Sequence, residues 1–321
     1  MPKRIDAEWV IWGYRLFLDR EPESAAAVED KVRRLTTAKE LREEFVRSAE
    51  FVEREGGLHV QALSGHEPPL LIQTDCPEGE LQVLFRHIQD TWQNLGETEP
   101  HYSVISASEF RNVGADDERR AFYESGKKCA DLLFATMQRN GIDPSGYKSC
   151  LEYGCGLGRV TRWLAERFQT VLGYDISGAH LERAAAFLDA QRIRNVTLKH
   201  INSLDDMRGL PKVDVVFSII VLQHNPPPLI ALIIRELIRG LNPKGVALFQ
   251  VPTYRRAYSF SLEEYLEQDV PKKEMEIHFF PQRKIFEIIW EEKGRLLEVL
   301  EDGCLGVRGG EMSNTFLIQR E

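Results

Sequence analysis

Glu152 stands just before Gly154-Cys155-Gly156-Leu157-Gly158, and Asp175 closes the apolar stretch Thr170-Val171-Leu172-Gly173-Tyr174 that comes after it. Glycines at this spacing let the backbone take positive φ and let a ligand approach with no Cβ in the way. The amides of such a loop, and of a helix opening at Thr161, form a ready anion site. A carboxylate about 20 residues beyond the loop, at the tip of a second strand, suits the two hydroxyls of a ribose. The ligand these residues describe contains adenosine. The dinucleotide fingerprint is G-x-G-x-x-G with a pyrophosphate above it; here the spacing is G-x-G-x-G. An acid beside the loop would repel a phosphate and attract an ammonium, so Glu152 argues against a nicotinamide dinucleotide.

Three further segments extend the pattern: Asp214-Val215-Val216-Phe217-Ser218, Asn202-Ser203-Leu204, and Leu241-Asn242-Pro243-Lys244-Gly245. With the Glu152 loop and Asp175, they resemble the class I S-adenosylmethionine-dependent methyltransferases, from about residue 127 to the C-terminus. The resemblance implies an α/β, Rossmann-like sheet of seven strands, six parallel and the last antiparallel, with S-adenosyl-L-methionine as cofactor. Carried over residue by residue, it assigns Glu152, Gly154, Cys155, Gly156, Gly158, Asp175, Ile176, Asn202, Ser203, Leu204 and Ile219 to the cofactor. Asn202 stands where the family usually places an acid or amide beside the adenine. Segments before the sheet fold over the cofactor in methyltransferases of this type, which makes Tyr102, Phe122, Tyr123 and Gly126 candidates for its near side; Phe122 reads equally as a core aromatic.

Chemistry in an open α/β sheet sits at the strand ends. That singles out Gln223 and His224 after the fourth strand, and Gln250, Thr253 and Tyr254 after the fifth. A hydroxyl acceptor must lose a proton, a task suited to a histidine. His224 is the candidate base; alternatively it donates to a backbone carbonyl, or touches only the cofactor. Residues 254–280 form a substrate cover with Tyr254, Tyr258, Phe260 and Tyr265, aromatic faces that suit a sugar. Glu276 and His278, of like parity if extended, are expected to face one pocket, with His278 as a second catalytic candidate and no metal. The expected reaction is O-methylation of a sugar in bacterial polysaccharide or glycan biosynthesis. A small secondary metabolite as acceptor, and a module that binds S-adenosylmethionine without catalysis, stay open.

Periodicity gives the scaffold around these residues. Apolar spacing places helices over residues 6–53, with Trp9, Trp12, Tyr14, Leu16 and Phe17 on the first, and another helix over 79–98. Tyr14-Arg15-Leu16, Arg20-Glu21-Pro22 and Ser48-Ala49-Glu50-Phe51 are similar to a small helical domain of unknown function from bacterial surface-glycan and secreted proteins. That part reads as packing or docking on a protein partner. Gly56, Gly57, Gly65, Pro68, Pro69 and Pro77 mark a linker. The expected domains are 1–64, helical; 65–126, linker and helical lid; and 127–321, the methyltransferase domain. Pro100–Val104 reads as a loop, and a helix is expected over about 127–140.

The chain has 321 residues, net charge −9 and pI near 5.5, which argues against non-specific nucleic-acid binding. Five cysteines, Cys76, Cys129, Cys150, Cys155 and Cys304, are scattered without a C-x-x-C pair, as expected of reduced thiols in a cytoplasmic protein. No apolar run is long enough to span a bilayer, and no signal segment is expected.

Overall fold

The structure is a computed structural model that describes residues 5–55, 63, 65–111, 113–114, 116–267, 274–304 and 310–321. The chain divides into two compact units, with the boundary between Ser64 and Gly65.

In the first unit, α1 (Ala7–Leu18), α2 (Ala25–Arg34), α3 (Ala38–Val46) and α4 (Ala49–Glu55) surround Val10, Tyr14, Leu18, Val28, Leu41, Phe45 and Phe51. Each of the first three helices opens on a side-chain cap: Asp6, Ser24, and Thr37 in a capping box with Glu40. Such caps satisfy amide donors that the first turn leaves unpaired. Helix α1 stops at Asp19, which takes a left-handed conformation just before Arg20-Glu21-Pro22. Helices α3 and α4 are split at Arg47-Ser48, where the Ser48 hydroxyl donates to Phe45 O and accepts from Phe51 N–H. Of the linker glycines, Gly56 and Gly57 lie outside the described residues.

In chain order the second unit runs β1 (Leu71–Ile72), α5 (Glu78–Thr98), α6 (Pro100–Val104), α7 (Asp116–Arg139), β2 (Ser149–Tyr153), α8 (Thr161–Ala165), β3 (Thr170–Asp175) and α9 (Gly178–Ala190). It continues β4 (Val196–His200), α10 (Leu204–Arg208), β5 (Val213–Ser218), α11 (Pro227–Arg239), β6 (Leu241–Arg255), β7 (Ser259–Phe260), α12 (Leu262–Glu267), α13 (Gln282–Glu291), β8 (Gly294–Glu301) and β9 (Glu311–Arg320). Seven strands form one sheet in the order β4-β3-β2-β5-β6-β9-β8, with β9 antiparallel to both its neighbours. This is the expected Rossmann-like methyltransferase sheet. Strands β1 and β7 pair separately and in parallel.

Alternation along the strands divides the core. Leu151, Tyr153, Val216, Ala247, Phe249, Phe316 and Ile318 pack on α5, α11 and α13; Cys150, Val215, Phe217, Val246, Leu248 and Leu317 pack on α7 and α8. Burial on both faces explains the consecutive apolar residues Val215-Val216-Phe217 of β5 and Val246-Ala247-Leu248-Phe249 of β6. Helix α11 opens with Pro227 at its first position, where a missing amide hydrogen costs nothing.

Three expectations are corrected. Pro100–Val104 is a helix, because Pro100 at its start needs no donor and Ser103 N–H and Ile105 N–H find Glu99 O and His101 O. Helix α7 begins at Asp116, not near 127, with Asp116, Asp117 and Glu118 in its first turn complementing the helix dipole. Glu276 and His278 do not lie on a strand; residues 275–280 are irregular. None of the helices among the described residues is long and apolar enough to cross a membrane.

Candidate active site at the ends of β2, β3 and β5

Strands β2, β3 and β5 end at one cleft, closed over by α5 and α6. Of the residues expected at the cofactor, Glu152, Gly154, Cys155, Gly156, Asp175, Ile176 and Ile219 line it, and so does His224.

The loop is shaped by its glycines. Gly154, Gly156 and Gly158 have φ of +78°, +51° and +78°, values that side chains with a Cβ rarely adopt. Gly156 N–H donates to Asp175 Oδ2 at 2.7 Å, and Ser177 N–H to Asp175 Oδ1 at 2.8 Å. The carboxylate is thus fixed at the strand tip, with the loop drawn against it.

Glu152 is buried, and the Thr161 hydroxyl donates to its Oε2 at 2.5 Å. Burial pushes its pKa up to about 8, with Asp175 adding to the rise and the Thr161 hydrogen bond and Arg159 opposing it. In the ligand-free protein at neutral pH it holds a proton that a bound cation would displace. Arg159, the residue after the loop, is buried and lines the same cleft. Its guanidinium reaches Ser125 Oγ at 3.2 Å and Cys129 Sγ at 3.5 Å, while Nε has no partner. A buried acid and a buried guanidinium on either side of a glycine loop fit the ammonium and carboxylate of an amino acid. The residues present therefore suit S-adenosylmethionine: Asp175 for the ribose, Glu152 and Arg159 for the methionine end.

At the other end, the turn Leu222–His224 comes after β5. His224 is buried; its Nδ1–H donates to Glu276 O at 2.7 Å, which leaves the lone pair on Nε2. Both the base and the carbonyl-donor readings of this histidine therefore describe one geometry. A long contact of 3.4 Å joins Nε2 to the Gln223 amide. Burial lowers the His224 pKa to about 4, so the ring is neutral throughout the physiological range. Trp92 of α5 meets it edge to face, with centroids 5.1 Å apart.

Other expected residues fall outside the cleft, each for a visible reason. Gly158 packs on α9, where an added Cβ would touch Ala184 and Leu188. Asn202 donates to His200 O, Ser203 caps α10 and Leu204 is core, so Ile201 reaches the cleft in their place. Tyr102 lies against the Arg111 guanidinium, 4.1 Å from its ring centre, and its neighbours Ser103 and Val104 line the cleft instead. Phe122 is fully buried against Phe110 and Tyr123, and Tyr123 stacks on Phe187. Gly126 serves helix packing: a Cβ there would lie 2.1 Å from Arg159 O.

Most acceptor candidates are likewise committed elsewhere. Gln223 is buried and its backbone carbonyl accepts from His278 N–H, while its side-chain Oε1 has no partner. Gln250 is held between Ile220 N–H and Ser313 Oγ; Thr253 donates to Asn314 Oδ1; Tyr254 OH donates to Pro68 O. Glu276 and His278 do meet, 2.8 Å apart, but behind His224 and not in the cleft. Glu276 also accepts from His87 Nε2 at 3.1 Å and Tyr265 OH at 2.9 Å, and Tyr258 OH donates to His278 Nδ1 at 2.8 Å. Burial alone would raise the Glu276 pKa; hydrogen bonds from His278, His87 and Tyr265 outweigh it and hold the carboxylate well below its ordinary range. The cover's aromatic and acidic residues form a half-buried anchor whose backbone fixes His224.

Sequence reasoning missed Trp92, Ser103, Val104, Arg159, His180, Ile220 and Asn225 of the lining. Arg159 had a signal, being a cation directly after the glycine loop. The α6 segment was signalled through Tyr102, though Ser103 and Val104 are the residues that line the cleft; the α5 residues had no signal, since only the tertiary fold brings them over the strand ends.

Residues 150–245 match the family model of a methyltransferase domain. The magnesium protoporphyrin IX methyltransferase of Synechocystis PCC 6803, solved with bound S-adenosylhomocysteine, is 16% identical; the alignment covers 74% of this chain and 100% of that one, with TM-score 0.51. The same protein with bound S-adenosylmethionine gives a TM-score of 0.50. An S-adenosylmethionine-dependent methyltransferase from Clostridium acetobutylicum ATCC 824 is 14% identical over 60% of this chain and 91% of its own, with TM-score 0.46. No curated protein matches. The matched segment is a methyltransferase domain, and it contains the whole glycine loop, Asp175 and His224. The domain match, together with a loop whose residues suit S-adenosyl-L-methionine, carries the methyltransferase reading.

Proposed function

We propose that the protein transfers the methyl group to a hydroxyl of a small acceptor, with a sugar of bacterial glycan biosynthesis as the substrate class. The observation that carries the hydroxyl reading is His224: a neutral imidazole on the cleft wall whose Nδ1–H is held by a carbonyl, leaving Nε2 able to accept a proton. S-adenosylmethionine supplies a methyl group on a good, neutral leaving group. The chain's own task is to align the acceptor, exclude water and take up the hydroxyl proton. Trp92 offers an aromatic face beside His224 and Asn225, a pairing of apolar surface and polar rim that supports a sugar ring.

The division into 1–64, 65–126 and 127–321 stays part of this reading, with residues 65–126 read as the cover of the cleft and the N-terminal helices as a docking module. The exposed Trp9, Trp12 and Leu16 of α1 support the docking.

The test is methyl transfer from labelled S-adenosylmethionine to a panel of free sugars, sugar nucleotides and phenols, with product mass and linkage read by mass spectrometry and NMR. An O-methyl sugar is expected. Methylation confined to nitrogen or carbon acceptors would remove the role of His224; methylation of phenols alone would remove the sugar.

A further inference from the structure

Ile220, just past the end of β5, has φ of +60°, a region in which a β-branched residue is a genuine outlier. Such conformations persist only where the surroundings over-determine them, and they cluster at functional sites. The surroundings here are one buried amide. Ile220 N–H donates to Gln250 Oε1 at 2.9 Å, and Gln250 Nε2 donates to Ser313 Oγ at 2.6 Å. Gln250 on β6 is 0% exposed and Ser313 on β9 is 2% exposed, so the amide holds this turn from inside the sheet.

The turn at Ile220 aims the next residues into the site. The Val221 side chain fills the space beside Gly154; a Cβ added to that glycine would lie 2.3 Å from it. His224 N–H then bonds to Val221 O at 3.1 Å. Ile220, Val221, Gly154 and His224 all line the cleft. Were Ile220 to return to the ordinary β region, Val221 would leave its seat against the glycine loop and His224 would move with it.

We propose that Gln250, anchored by Ser313, is a positioning residue: it holds Ile220 left-handed and so sets both the seat of the glycine loop and the place of His224. The binding arm of the test rests on the cofactor reading; the structural arm does not.

S-adenosylhomocysteine affinity is measured by calorimetry for the wild type, Gln250→Met, Ile220→Gly and the double variant. Methionine keeps the volume and removes both hydrogen bonds. Gln250→Met is expected to weaken binding by about tenfold or more in the wild-type background, as the competent conformation becomes a minor state. In the Ile220→Gly background the same change is expected to cost under about threefold, because glycine enters the left-handed region unaided. Equal losses in both backgrounds would overturn the proposal. Crystal structures of Gln250→Met and the double variant decide the point without ligand: Ile220 should leave positive φ in the first, and the glycine should keep it in the second. An Ile220 still left-handed in Gln250→Met overturns the clamp. If Gln250→Met does not fold, Ser313→Ala, which removes only the anchor, takes its place in both measurements with the same expected contrast. If the wild type binds no S-adenosylhomocysteine, the cofactor reading fails, and the crystal structures alone judge the clamp.

Discussion

The two halves of the cleft are built differently. The half at β2 and β3 is local: Glu152 and Thr161, Gly156 and Asp175, Asp175 and Ser177 are partners within one β-loop-helix-β stretch. The half at β5 is assembled from afar, with Gln250 and Ser313 on the Ile220 turn, and the 274–280 segment behind His224. A local motif binds through groups whose spacing is fixed by the chain itself. A long-range one can place a base accurately, but it depends on every strand that carries a partner. Changes in the first half should therefore show in cofactor affinity and changes at His224 in turnover, while Gln250 and Ser313, which also seat Val221 against Gly154, should reach both.

Gly156→Val should have the largest effect. A Cβ there meets Val104 at 3.0 Å in a backbone with φ of +51°, and valine opposes that φ. S-adenosylhomocysteine binding should fall below detection by calorimetry; near-normal affinity would mean that the loop does not hold the cofactor.

His224→Asn comes next, with turnover lowered by about 100-fold or more and S-adenosylhomocysteine affinity kept. The folded pKa of about 4 lies below the ordinary 6.5. The neutral, working form is thus present above pH 6.5 and is lost only as pH falls through about 4. Turnover should hold down to near pH 5, and an acid limb near 6.5 would show that a different group titrates.

Asp175→Ala removes both amide contacts of the strand tip along with the ribose acceptor. It should cost about 1.5–3 kcal/mol in S-adenosylhomocysteine affinity, read by calorimetry. An effect confined to turnover would break the contrast between the two halves.

The smallest effect belongs to His278→Asn. Its ring lies outside the cleft, so cofactor affinity should stay unchanged while the half-buried network around Glu276 loses about 1 kcal/mol of stability, seen in denaturant unfolding. A loss of turnover as deep as that of His224→Asn would promote His278 to the reacting centre.

The same contrast explains what the sequence could reveal. The sheet is legible because its inner strands β5 and β6 are buried on both faces and carry apolar residues on both, whereas the edge strands β4 and β8 are largely exposed or half-buried. The loop half of the site is legible because Glu152, the glycines and Asp175 act at fixed spacing. Gln250, Thr253, Glu276 and His278 read as facing an acceptor because they are polar and lie past strand ends. In the structure their partners are Ile220, Asn314, His87 and Tyr258, and nothing in the local pattern distinguishes a polar residue bonded inside the core from one facing a ligand. Trp92 reads as one apolar position of an amphipathic helix, which it is; that this helix crosses the strand ends is a property of the fold alone.

In the proposed function Glu152, a buried acid beside the glycine loop, receives a cationic amino-acid group. Its folded pKa of about 8 stands above the ordinary 4.5, so its share of stability is complete below pH 4.5 and is lost as pH rises through 8. An arriving ammonium must displace that proton. The direct measurement is calorimetric titration of S-adenosylhomocysteine at pH 7 in two buffers of different ionisation enthalpy, for the wild type and Glu152→Gln. The wild type should release about one proton per ligand bound, and Glu152→Gln should bind more weakly with no such release. Tight binding without proton release in the wild type, or the same release in both proteins, would contradict the account.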